Sequence, residues 1–172
     1  MRSIVNSILN RPYSLSELLQ TDDGRMDRAA GCTVELVKTY HDVRPATLSE
    51  KLKSRFLGKS LLNSYNLIFK FRVTSETGKS HTVFIKTEPD FDSGSGANNK
   101  CQIYCDCKDF MYRSAYELNR RHSLFLNDKT TATLGSALTI APKRQSGSLL
   151  CKHAYAALQW LINNYSIVLS NA

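Results

Sequence analysis

The chain has 172 residues, 42% hydrophobic and 22% charged, which suits one folded domain, with or without an arm, and excludes wholesale disorder. Its 23 Lys and Arg against 15 Asp and Glu leave a formal charge of +8, which fits an anionic partner such as nucleic acid or an acidic protein surface. No run of about 18 apolar residues could span a membrane, and "MRSIVNSILNRPYS", its apolar patch broken by Asn6 and Ser7, makes a poor secretory signal, so an intracellular setting is expected.

Ile4, Val5, Ile8 and Leu9 follow helical spacing and predict a short N-terminal helix. "SLSE" supplies a capping box, with Ser14 as N-cap and Glu17 three residues on, ahead of Leu18 and Leu19. "TDDGR" (21–25) reads as a turn. "CTVELVKTY" alternates Thr33, Glu35 and Val37 with Val34, Leu36 and Lys38, and predicts a strand. "TLSE" (47–50) repeats the capping signature and opens a basic helix over 48–57. Leu48, Leu52 and Phe56 are expected on its buried side, Lys51, Lys53 and Arg55 on its outer side, and Gly58 at its end. Positive charge concentrates around this segment: residues 38–86 hold ten Lys or Arg and three acids.

The clearest hairpin spans 66–87. Leu67, Phe69, Phe71 and Val73 share one face with Lys70 and Arg72 opposite, Gly78 marks the turn, and Val83 and Ile85 return with Phe84 on the other side. "PDFDSGSGANNK" (89–100) predicts a flexible loop, and "CQIYC" a third strand near 100–105. Asp109 is placed to cap a helix, "FMYRSAYELNRR", built on Phe110, Met111, Ala115 and Leu118. At its end, Arg120 and Arg121 in "NRRHS" either contact phosphates or complement the helix dipole. The small, polar residues 127–148 predict a long loop. A last helix carries an apolar stripe of Ala154, Leu158, Leu161, Ile162 and Tyr165, with Trp160 covering a site or filling core. The expected fold class is α+β. A small antiparallel sheet, the hairpin 66–87 plus the strand near 100–105, packs with helices and is stapled by a metal. Residues 1–60 are expected as a helical arm or subdomain and 61–172 as the metal-binding domain.

Five cysteines, an odd number in a reducing setting, argue against disulfides. Cys105 and Cys107 are one residue apart, and on an extended strand such side chains point the same way. Cys151 and His153 repeat that spacing where the last helix starts, a place whose dipole and free N–H groups favour thiolates. Three thiolates and an imidazole complete a tetrahedral zinc shell. An alternative stays open: Cys101 is in phase with the strand pair, so Cys101, Cys105, Cys107 and Cys151 could hold an iron–sulfur cluster. Four ligands close the shell, and no H-x-E or H-E-x-x-H pattern accompanies them, so the site reads as structural rather than catalytic. Cys32 reads as a core residue, and His41 and His81 carry no signal.

C-x-C followed by C-x-H, with Phe110 after the first pair and "CKHAYAAL" opening the helix, resembles the SWIM-type zinc finger, a strand-strand-helix module. Cys105, Cys107, Cys151 and His153 match its four ligands residue by residue. The spacer from Lys108 to Leu150, 43 residues, is longer than the compact form of the module, and Cys101 is an addition to it. The layout of hairpin, C-x-C, long insertion and C-x-H helix also resembles small proteins encoded by tailed bacteriophages. These resemblances imply a non-enzymatic structural or interaction protein, a virion component of tail, baseplate or neck, with other protein subunits as partners. SWIM members are also associated with DNA, which implies a nucleic-acid-binding alternative through Lys51, Lys53, Arg55, Arg120 and Arg121. A metalloenzyme is the third reading, and neither a membrane nor a small-molecule substrate is expected.

Overall fold

Alternating apolar residues make "NLIFKFRV" the centre of the sheet. The computed structural model describes residues 11–20, 25–48, 51–52, 55, 63–87, 100–139 and 149–170. Strand β2 (Asn63–Thr74) buries Leu67, Phe69, Phe71 and Val73 on one face, and β3 (Ser80–Thr87) returns antiparallel after a turn in which Gly78 takes φ +77°. A residue without a Cβ enters that left-handed region at no steric cost. β4 (Cys101–Cys105) pairs with β3, and β1 (Thr33–Pro45) pairs with the other side of β2 through a bulge between Leu36 and Lys38. The order is therefore β1-β2-β3-β4, all antiparallel. The sheet thus draws a fourth strand from the segment expected as a helical arm and crosses the boundary expected near residue 60.

Helices cover the apolar face. α1 (Leu15–Leu19) is capped by Ser14, whose Oγ accepts from Glu17 N at 3.2 Å while Glu17 Oε2 accepts from Ser14 N at 2.8 Å. α2 (Arg25–Ala30) occupies a stretch whose first residue was expected in a turn. Both pack on the long C-terminal helix, written α5 below (Lys152–Ser170), which also lies against the sheet. Its stripe is buried at Ala154, Leu158, Leu161 and Tyr165, and Trp160 stands edge-on to Phe71 with ring centroids 5.6 Å apart. Trp160 is thus core filling.

The opposite face carries a smaller aromatic cluster at the β3–β4 end. Phe84 stacks on Phe125 at 5.3 Å, and Tyr104 meets Phe110 edge-on at 5.9 Å. The free edge of β4 is covered: Ile103 N donates to Ser123 O at 2.8 Å, Phe125 N donates to Ile103 O at 3.1 Å, and Cys101 N donates to Tyr13 O at 2.9 Å. These bonds blunt an edge that would otherwise present unpaired amides.

Four local expectations need correction. The helix after Cys107 opens as a π-helical turn (Phe110–Ser114) before α3 (Ala115–Arg120), and Asp109 makes no cap bond but pairs with Arg113 at 2.8 Å. Within the expected long loop, Asn127 caps α4 (Asp128–Leu134): Asn127 Oδ1 accepts from Thr130 N and Asn127 N donates to Thr130 Oγ1, both at 2.8 Å. A 3-10 turn (Gly135–Leu138) follows. Leu48 and Leu52, expected inward, are 75% and 48% exposed, although positions 48, 51, 52 and 55 are helical as expected. Cys32, expected in the core, is only half-buried. The N-terminal helix over 4–9, the loop through residue 99, residues 140–148 and Lys53, Phe56 and Gly58 lie outside the described residues. Among the described residues, no helix is long and apolar enough to cross a membrane.

Candidate metal centre

The two halves of the centre come from segments separated by the 43 residues from Lys108 to Leu150. Cys105 closes β4 opposite Val83, and Cys107 follows in the turn before Phe110. It is past the end of the strand, so the one-residue spacing works through strand end and turn rather than along one strand. Cys151 precedes α5, and His153 lies in its first turn. The register of β3 with β4 and the packing of α5 on the sheet bring these two ends together.

Ligand atoms of Cys105, Cys107, Cys151 and His153 all lie within 4.8 Å of one another. The four residues are 0%, 4%, 1% and 6% exposed. His153 is the most telling: neither ring nitrogen has a hydrogen-bond partner. Buried polar atoms without a partner are rare because the lost solvation is not replaced. A buried imidazole beside three sulfurs, with no hydrogen-bond partner of good geometry at either nitrogen, fits a bound cation.

Both helix starts support thiolates by the same device. Phe110 N donates to Cys107 Sγ at 3.4 Å, and Ala154 N donates to Cys151 Sγ at 3.3 Å, each from three residues on. These amides are among the orphan donors of a helix start. The Cys105 thiol, then the Cys151 thiol, bond to Cys107 and hold it far below the usual thiol range, against the effect of burial. Burial pushes Cys105 and Cys151 up. Cys107 is thus favoured as a thiolate by its neighbours, and a divalent cation would supply the charge that holds all three sulfurs ionised. Zinc accepts this donor set of three sulfurs and a nitrogen in a tetrahedron.

Cys101 is not part of the centre. It stands opposite Thr87, four residues along β4 from Cys105, or about 13 Å at the rise of a strand. It shares the face of Cys105 as expected, but period two fixes the face and not the distance. The four thiolates of an iron–sulfur cluster therefore do not converge, and burial pushes the Cys101 thiol up, as suits a neutral packing residue.

The anion-binding candidates lie on separate elements. Lys51 and Arg55 are exposed on the helical stretch after β1, and Lys53 lies outside the described residues. Arg120 and Arg121 end α3, where Glu117 takes both at 2.7 and 3.5 Å. Arg121 also lies over the Tyr13 ring at 5.1 Å. That helix closes in a Schellman arrangement: Ser123 N donates to Leu118 O at 2.8 Å, His122 N donates to Asn119 O at 3.0 Å, and His122 takes φ 55°. "NRRHS" is thus a helix terminus.

Two residues beside the centre were not legible in the sequence. His81, at the start of β3, stacks on His153 with ring centroids 4.3 Å apart. Asp106, between the two cysteines, accepts from His81 Nδ1 at 2.9 Å through Oδ1 and from Thr82 N at 3.1 Å through Oδ2. The only available signal was the acid inside C-D-C; nothing in spacing ties residue 81 to residue 153.

No curated protein and no solved structure matches this chain. A family model described as SWIM zinc finger matches residues 81–116 and 144–159, which hold all four residues of the cluster and His81. Match and geometry agree: over these residues the chain is similar to the SWIM zinc finger, and the metal of its Cys3His centre is zinc.

Proposed function

We propose that this chain is a non-enzymatic structural protein whose zinc holds an interaction module in shape, and that it works as a subunit of a larger protein assembly. The observation that carries this reading is the closed centre. Four protein donors converge and none of the four residues is more than 6% exposed, so no coordination position faces a substrate. When bound, zinc supplies a cross-link between β4 and α5, and the chain's own residues do the rest. Phe110 N–H and Ala154 N–H support the thiolates, while α5 and the sheet exclude water. The resemblance of the sequence layout to small bacteriophage proteins makes a virion tail, baseplate or neck the setting we favour.

Nucleic-acid binding is the competing reading and rests on the charge of +8. Glu117 pairs with both Arg120 and Arg121 and offsets part of the charge of two of its five candidate contacts. Titration of the zinc-loaded chain with a short DNA duplex at two salt concentrations tests the choice. The interaction reading expects weak, non-saturating binding. Tight binding that falls steeply with salt, and is lost in Lys51→Glu and Arg55→Glu, would replace it.

A further inference from the structure

Burial around the centre is uneven. Cys105 and Cys151 are sealed, and the two more accessible ligands are Cys107 and His153, at 4% and 6%. Both border the same pair of side chains. Asp106 immediately precedes Cys107, and the His81 ring lies against that of His153 at 39°. The side chains of His81 and Asp106 are 24% and 39% exposed, so this pair borders solvent while the His81 ring lies against His153. A competing ligand approaching the metal from this side meets it first.

The pair is itself held in place. A carboxylate only accepts, so His81 donates from Nδ1, which fixes the ring plane. The second carboxylate oxygen takes Thr82 N–H, and Asp106 N donates to Thr82 O at 3.2 Å. Asp106 thereby ties the C-x-C turn to the start of β3 by three hydrogen bonds. His81 cannot swing away without breaking the first of them.

We propose that His81, positioned by Asp106, is a gate over the zinc centre: its ring covers His153 and controls how fast the metal exchanges with outside ligands. The role belongs to the face of the ring, since Nδ1 is used on Asp106. The inference rests on the zinc centre proposed above and adds a kinetic function that none of the four donors performs.

The test is zinc transfer from the loaded protein to a chromogenic chelator, for wild type, His81→Ala, His81→Phe and Asp106→Ala, with zinc content and thermal unfolding measured on each. Outer partners of metal ligands change metal retention by about 10–100-fold. We expect His81→Ala to release zinc at least about tenfold faster, with a rate that rises with chelator concentration, because the direct approach is open. Wild type should release at a rate independent of chelator, set by opening of the gate. His81→Phe keeps a ring over His153 and should stay close to wild type, while Asp106→Ala should fall between. Equal release from zinc-loaded wild type and His81→Ala overturns the gate and leaves the centre standing. So does a His81→Phe protein as fast as His81→Ala. Wild-type protein that binds no zinc removes the centre itself, and the gate with it.

Discussion

Replacing Cys107 by Ala removes one of the three sulfurs of the centre, the one its neighbouring thiols hold low. Structural zinc in small finger domains contributes about 10–16 kcal/mol of apparent binding energy. A domain of ordinary size is stable by about 5–15 kcal/mol in total. Loss of the metal therefore takes away an amount comparable with the whole margin. The site left behind adds a cost: a buried imidazole with two unpartnered nitrogens, about 1–3 kcal/mol for such a group. Leu158 and Leu161 of α5 share one core with Phe69, Phe71 and Ile85, and without the metal α5 loses its tether to β4. Cys107→Ala is expected to lose zinc and to unfold 100–165 as a unit. Hydrogen exchange by mass spectrometry checks this, together with far-ultraviolet circular dichroism with and without added zinc. A Cys107→Ala protein that is metal-free yet keeps wild-type protection over β4 and the start of α5 would refute the coupling.

Phe71 is fully buried and meets Trp160 edge-on, so Phe71→Ala should cost about 3–5 kcal/mol in denaturant unfolding while the folded fraction keeps its zinc. Asn127→Ala removes the reciprocal cap of α4 and should cost about 1 kcal/mol, with faster amide exchange confined to Asp128–Leu134. Lys86, bonded to Asp42 at 2.5 Å, holds the Asp42 carboxyl below its usual value. A carboxyl whose folded pKa lies below about 3.9 adds stability above that pH and loses it as the pH falls through the folded value. Asp42→Asn should therefore lower stability modestly at neutral pH and flatten the acid limb, so that its profile meets that of wild type well below about pH 4.

How much could be read in advance differs by element. The hairpin was legible because Leu67, Phe69, Phe71 and Val73 alternate without interruption, and Gly78 falls where the turn needs it. Cys105, Cys107, Cys151 and His153 stood out because two short-spaced pairs sit at element ends, where one further residue of slack still lets donors converge. α4 was missed because its signal is a cap, Asn127 with Thr130, and not an apolar stripe; in "NDKTTATL" only Leu134 and Thr130 are buried. The inward placement of Leu48 and Leu52 assumed that an amphipathic helix must face a core, and these leucines do not. Cys101 shows the limit of periodicity on a strand, which orders faces and says nothing of reach. His81 was invisible for a different reason: its neighbour His153 is set by the docking of α5 on β3, a long-range contact with no local trace.

The central claim is a closed zinc centre of three sulfurs and one nitrogen. X-ray absorption at the metal edge, on protein purified without added metal and with metal content determined on the same sample, tests it most directly. The account predicts one zinc per chain, with three sulfurs at about 2.3 Å and one nitrogen at about 2.0 Å. Iron with sulfide and four sulfur neighbours, or a zinc that keeps an oxygen from water in its first shell, would contradict it.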